Sequence, residues 1–286
     1  MQPAAINLYT NPVSGYLPGF AMNLEPPDWE GYTDDIDQMG GFLQASFNLI
    51  QPRDVLEEVF EYGLDRAVDI WARSGLPMWE GTVDEMTLTI GRVELRKRLG
   101  GMANRIWGRG SWGGLSGQRS TILNHAVSQA RYGAKERVIS VGEAVSLGQV
   151  NQAGNVLLGQ IALPKVSASI RGGQAQNTGA SLELRCKGWW NKFYWLTYNQ
   201  TVLTGTAAAY AIVDRIVTAC GWFVKSKSIE RNDSATQEKY DSDQWPADIM
   251  AGLGKAGDQN YRLWIPGMRA GREFYFEPSA ASVVPA

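Results

Sequence analysis

The 286-residue chain carries 27 Lys and Arg against 29 Asp and Glu, a formal charge of -2, with 44% hydrophobic and 20% charged residues. These proportions allow a sizeable core in one large or two ordinary domains and exclude disorder over most of the length. So even a charge balance offers no electrostatic footprint for tight, non-specific nucleic-acid binding.

Nothing in the chain approaches the roughly 18 consecutive apolar residues of a membrane span, and Met1 to Thr10 lack the charged and apolar regions of a signal peptide. A soluble protein made in the cytoplasm, with no membrane insertion, is expected. Short strands are predicted over Ile6 to Tyr9 and Gly15 to Leu24, where apolar residues alternate between Asn, Pro and Gly punctuation. Glu25 to Gly41, with Pro26, Pro27 and the acidic run Asp34, Asp35 and Asp37, reads as a solvated loop. Leu43, Ala45, Phe47 and Leu49 then alternate with Gln44, Ser46 and Asn48, the period of a half-buried strand.

The period changes at Arg53 to Tyr62, where Val55, Leu56, Val59 and Phe60 share a helical face and Gly63 can close the helix in αL. Extended runs follow at Ala67 to Ala72 and Met78 to Ile90, and Gly91-Arg92 turns the chain into Val93 to Arg98. That order predicts a small, mostly antiparallel barrel or sandwich with one helix. Gly100 to Gly117 is glycine-dense and reads as a flexible loop carrying Trp107 and Trp112; a more helical stretch spans Leu123 to Tyr132. A domain boundary is placed near residue 140.

Beyond it, Glu143 to Leu163 repeats apolar residues at helical spacing despite Gly148, Gly154 and Gly159. Ser181 to Trp189 alternates as a strand with Cys186 on its apolar side. Thr206 to Cys220 predicts a helix with Thr206 as N-cap and Gly221 past its end. After a polar stretch from Ser226 to Asp243, a second helix begins near Trp245 with Pro246 in its first turn. A hairpin, Tyr261 to Ile265 and Glu273 to Glu277, is expected to turn at Pro266 to Gly271, and the tail from Ser279 to frayed Ala286 closes the chain.

Chemistry is sparse. A triad needs a positioned imidazole and a catalytic zinc usually needs two or more, yet the chain has one histidine, His125, whose neighbours form no motif; it reads as a surface or capping residue. Cys186 and Cys220 each lie in an apolar segment and read as buried thiols. Gly108-Arg109-Gly110-Ser111-Trp112-Gly113 spells GxGxxG but lacks the strand before and helix after that bring backbone amides to a pyrophosphate. Neither Asp34, Asp35 and Asp37 nor adjacent Glu57 and Glu58 has a spacing diagnostic of glycoside hydrolysis. The aromatic cluster Trp189, Trp190, Phe193, Tyr194, Trp195 and Tyr198 reads as surface buried in an assembly rather than a stacking platform. No catalytic, cofactor-binding or metal-ligating residue is assigned, no cofactor is expected, and the chain is not expected to be an enzyme.

Three groups of segments, in order, resemble the hub-type tail proteins of tailed bacteriophages and contractile injection systems. The first is Trp79-Glu80-Gly81-Thr82-Val83 with Met86-Thr87-Leu88 and Ala103-Asn104-Arg105; the second is Ser128 to Glu136, similar to an "S-x-A-x-Y-G-x-x-E" element. The third is Leu184 to Trp189 with Tyr198-Asn199-Gln200, Gly257 to Tyr261 and Gly271 to Pro278. The resemblance covers most of residues 40 to 278 and carries structural signatures only.

It implies an α+β chain: a mainly antiparallel, tail-tube-like β-barrel domain over residues 1–140 with one short helix, then a mixed α+β hub domain over 141–286 with two helices. It further implies a structural virion protein at the tail tip or baseplate, assembled in the host cytoplasm. The expected partners are copies of itself in a ring, a trimer in preference to a hexamer, together with tail tube, spike or fibre and tape-measure proteins, and DNA in transit. Two rival functions are a carbohydrate-binding host-attachment module and, behind it, a cell-wall hydrolase.

Overall fold

A computed structural model describes residues 3–9, 21–144, 146–170, 179–199, 206–237 and 243–280. Strand β1 (Pro3–Tyr9) pairs antiparallel with β2 (Met22–Leu24), so the strand expected over Gly15 to Leu24 is seen at its end, its earlier part lying outside the described residues. The expected loop from Glu25 to Gly41 is instead mostly strand: β3 (Trp29–Asp37) pairs with β4 (Gly40–Leu49). An acidic run cannot enter a core strand, but at a sheet edge the backbone pairs on one side while the carboxylates stay in water.

The alternation in β4 buries Ala45, Phe47 and Leu49, and α1 (Arg53–Tyr62) buries Leu56, Val59 and Phe60 against the same core. Gly63 closes α1 with right-handed dihedrals, φ -76° and ψ -20°, not in the expected αL conformation. Strands β5 (Ala67–Ala72), β6 (Pro77–Ile90) and β7 (Val93–Arg98) follow as successive antiparallel neighbours.

The expected glycine-rich loop is a strand, β8 (Arg105–Trp112), which turns into β9 (Leu115–Arg119). Its glycines serve close packing. A Cβ at Gly108 would lie 2.6 Å from Val150, and one at Gly110 would overlap the Val141 carbonyl. A strand with bare backbone at those positions admits neighbours that a side chain would exclude. After β10 (Leu123–Asn124) and α2 (Ala126–Tyr132), β11 (Glu136–Ala144) pairs with β8 in parallel.

The second half contributes α3 (Leu147–Ile161), β12 (Val166–Ile170) and β13 (Ala180–Gly188), which leads into a 3-10 turn, Trp189–Tyr194. Then come β14 (Thr206–Ala208), α4 (Ala209–Cys220), β15 (Ser226–Ile229), β16 (Ala235–Gln237), α5 (Pro246–Ala256), β17 (Trp264–Arg269) and β18 (Glu273–Pro278). Thr206 does not cap α4: residues 206–208 pair with β16, and Ala208 holds the N-cap position without a side-chain bond. The polar stretch after α4 holds β15 and β16. The closing hairpin is shifted, since Pro266 pairs with Phe276 inside β17 and the chain turns at residues 270–272. The expected fraying from Ser279 falls mostly on residues 281–286, outside the described residues.

The large sheet runs β15-β18-β17-β4-β13-β6-β5-β1-β2, with β3 branching from β4 and β7-β12 from β6. Among the described residues it does not close into the expected barrel: β2, β15, β3 and β12 each end a branch. The class is α+β; among the described residues there are two helices in 1–140 and three in 141–286, one more in each half than expected. Nor does residue 140 divide the sheets. β11 runs through that position, and β13 inserts between β4 and β6. One core lies between α1 and strands of both halves; a second packs α4 and α5 on β17, β18 and the 3-10 turn.

Candidate functional site

The residues weighed for chemistry do not converge. His125 caps α2, its Nδ1 accepting from the Ser128 backbone N–H at 3.2 Å. Glu57 pairs with Arg53 at 2.7 Å on the exposed side of α1. Asp34, Asp35 and Asp37 line up along β3, and Gly108 to Gly113 leads into a second strand rather than a helix. Cys186 and Cys220 are buried free thiols. Among the described residues no group of three or more His, Cys, Asp or Glu is placed to hold a metal ion.

The aromatic cluster corrects the expectation of burial in an assembly. Trp189, Trp190, Phe193, Trp195 and Tyr198 are buried in their own chain, where Phe193 meets Phe223 edge-on at 4.8 Å and Phe274 at 5.8 Å; Tyr194 alone is exposed, at 39%. Hydrophobic area that the sequence makes available to a partner is therefore spent inside the second core.

Two of the family-like segments meet. Asn104, fully buried, donates to the Gly133 carbonyl at 2.8 Å and to Ser128 Oγ at 3.2 Å, and its side-chain oxygen accepts from the Lys135 N–H at 2.8 Å. Next to it Arg105 and Glu136 form an ion pair at 2.9 Å. The first and second segments thus form one polar staple around α2, and their residue types are explained by satisfying buried polar groups.

Two carboxylates escaped sequence reasoning because they sit on different strands and only the register of those strands brings them together. Asp69 and Glu80 stand opposite each other in the β5–β6 register. Burial pushes both above the ordinary carboxylate range, with the Asp69 charge adding to the rise at Glu80. Tyr9 Oη donates to Asp69 at 2.8 Å, and the Gly271 N–H donates to Glu80 at 2.5 Å. They edge a cavity of about 270 Å³ walled by Tyr9, Trp71 and Pro77, with Lys225 and Arg272 at its rim.

The most extensive feature is one face of the antiparallel ladder β3-β4-β13-β6-β7-β12. Register places on it Glu30, Thr33 and Asp35 from β3, then Asn48, Ser46 and Gln44 from β4. Ser181, Glu183, Arg185 and Lys187 follow from β13, with Glu85, Thr87 and Thr89 from β6. Arg98, Arg96 and Glu94 from β7 and Ser167 and Ser169 from β12 complete the face. Every one is polar. The charges interleave, with Arg96 to Glu85 at 2.6 Å, Arg185 to Glu183 at 2.8 Å and Arg185 to Glu85 at 3.8 Å. A groove of about 570 Å³ runs over the β3, β4, β13 and β6 part of this face. The opposite face supplies Ala45, Phe47, Leu182, Leu184, Met86 and Leu88 to the core under α1.

No protein-family model and no curated protein matches the chain. A solved structure that it resembles is the 43 kDa tail protein of prophage MuSo2 from Shewanella oneidensis, with 8% identity and a TM-score of 0.44 over 96% of this chain and 54% of that one. The chain spans about half the length of that protein.

Proposed function

We propose that this chain is a structural subunit of a bacteriophage tail, a tail-tip or baseplate hub protein that closes into a ring and lines the channel through which DNA leaves. The observation that carries this reading is the ladder face whose paired positions are polar, backed by the first core under β4, β13 and β6. An antiparallel sheet packed on a core by one face turns polar residues outward, and here that holds at each paired position named across six strands. A wall along which a polyanion slides needs a wet surface without a net positive field, since clustered cations would hold phosphates by counterion release. Five acidic and four basic residues on that face meet the requirement.

In this reading the chain does no chemistry of its own. It joins the tail tube to the distal spike or fibres, meets the tape-measure protein, and assembles in the host cytoplasm as a trimeric or hexameric ring before residing in the virion. Electron microscopy of the purified protein and of the particle tests it: rings, or matching density at the tail tip, are expected, and monomers at micromolar concentration with no tail density would refute it.

A second reading is carbohydrate attachment, favoured by one observation: the cavity that combines Tyr9 and Trp71 with Asp69 and Glu80. Aromatic walls beside hydrogen-bonding carboxylates suit a sugar ring. Saturable binding on a glycan array, lost in Trp71→Ala, would favour it, and clearing of a peptidoglycan suspension, lost in Glu80→Gln, would move it to a wall hydrolase.

A further inference from the structure

We propose that copies of this chain join head to tail, β3 of one pairing with β12 of the next, so that the polar ladder continues from subunit to subunit. This rests on the ring reading above and specifies its contact. Both strands are ends of the same ladder, and among the described residues each has one neighbour, β4 for β3 and β7 for β12.

The β12 edge is unguarded. Val166–Ile170 contains no charge and no proline, pairs without a bulge and is exposed at every residue. Soluble proteins usually protect such an edge with charge, proline or distortion, because its free N–H and C=O groups template another strand. The partner that fits it is β3 of a second copy, on two independent grounds.

The first is charge. β3 carries Glu30, Asp34, Asp35 and Asp37, while Lys165 immediately precedes β12 and the strand beside it carries Arg96 and Arg98 against one acid, Glu94. Pairing β3 with β3 sets acid against acid, and pairing the uncharged β12 with itself gives its basic flank no acidic strand to meet; only the mixed pair brings opposite signs together. The second is facial match. On the core side of the ladder β12 leaves Val166 and Ile170 exposed at 53% and 76%, and β3 leaves Ile36 exposed at 54%. On the other side Ser167 and Ser169 would continue toward Thr33 and Asp35. Joining the two edges in the alignment that keeps the polar face continuous also covers the apolar rim. A contact between unlike surfaces is heterologous, and it forms a ring when its rotation closes.

The test is a zero-length carbodiimide coupling of Lys165 to the β3 carboxylates, in a mixture of isotopically heavy and light protein read by mass spectrometry. Within one chain five strand spacings of about 4.8 Å separate the two edges, too far for a link without a spacer. Heavy–light peptides joining Lys165 to Asp34, Asp35, Asp37 or Glu30 are expected, with the links to Glu30 and Asp37, which the exposed-edge variant Asp34→Lys/Asp35→Lys keeps, falling about tenfold in that variant, whose fold is checked by circular dichroism. Rings seen by microscopy without that link, or unaffected by the charge reversal, would overturn this contact and leave the ring reading standing. Absence of any assembly would overturn both.

Discussion

The Lys192 ammonium lies 2.5 Å from the Asp65 carboxylate, and the two side chains are 2% and 0% exposed. The pair ties the 3-10 turn to the bend between α1 and β5, and Lys192 also lies 3.4 Å from the centre of the Trp195 ring. Burial pushes the lysine below its ordinary range while Asp65 pulls it back up. Removing one partner of a buried pair leaves a charge with no counter-charge. Asp65→Asn is expected to cost about 3–5 kcal/mol, and Lys192→Met added to it to restore part of the loss. Denaturant unfolding of the two variants measures both; a double variant no more stable than Asp65→Asn would contradict the argument.

The buried Asn104 side chain makes three hydrogen bonds, all inside the protein. Asn104→Ala strands the Lys135 N–H and the Gly133 carbonyl, and a loss of about 2–4 kcal/mol is expected. Hydrogen exchange localises the damage: the amide of Lys135 should lose protection before those of β13.

Gly110 and Gly142 predict opposite outcomes for one substitution. A Cβ at Gly110 meets the Val141 carbonyl, whereas one at Gly142 meets nothing within 4 Å. Gly110→Ala should forfeit more than about 3 kcal/mol or fail to fold, and Gly142→Ala should be neutral or gain up to about 1 kcal/mol. Thermal melts of the pair decide it.

Glu80 sets the sign of a pH effect. Its folded pKa is raised by burial and by Asp69. The folded state therefore binds the proton more tightly than the unfolded one, and this favourable contribution is present below the unfolded pKa of about 4.3 and lost as pH rises through the folded value. Glu80→Gln keeps an acceptor for the Gly271 N–H and removes that loss. Its stability relative to the parent should climb with pH above about 4.3 and level off once pH has passed the raised folded value. A difference that stays flat from pH 4 to 8 would show the group to be unperturbed.

Cys220 is pushed up to about 11 by burial, and Cys186 is pushed up further by complete burial. Neither thiol should react with a thiol-specific reagent in the native protein at pH 8, and both should react after denaturation.

Local periodicity made the elements legible where one face is buried. β4, α1, β5, β6, β7, α3, β13 and α5 lie where alternation or helical spacing puts them. It failed where an element is held by something other than its own side chains. β3 forms because β4 offers an edge, β8 forms because its glycines admit Val150 and Val141, and residues 206–208 pair with β16 before α4 begins. The polar ladder face was half visible, in the alternations of β4 and β13. Its extent was not, because the register that aligns six strands arises from pairings up to about 140 residues apart. Asp69 and Glu80 are close in sequence, but only the β5–β6 register sets them face to face, and the tryptophans gave no sign of which surface would cover them.

The insertion of β13 between β4 and β6 has a consequence for synthesis. While the ribosome is still making α3, both flanking strands are already out of the exit tunnel with their inner edges bare, and nothing downstream can seal them until Gly188 emerges. The nascent chain must therefore hold a gap open, or cover it with a chaperone, for the time taken to translate about a hundred codons. A gene cut near codon 140 would yield two fragments that are each incomplete but complementary, and co-expression of the pair should recover soluble protein that neither gives alone.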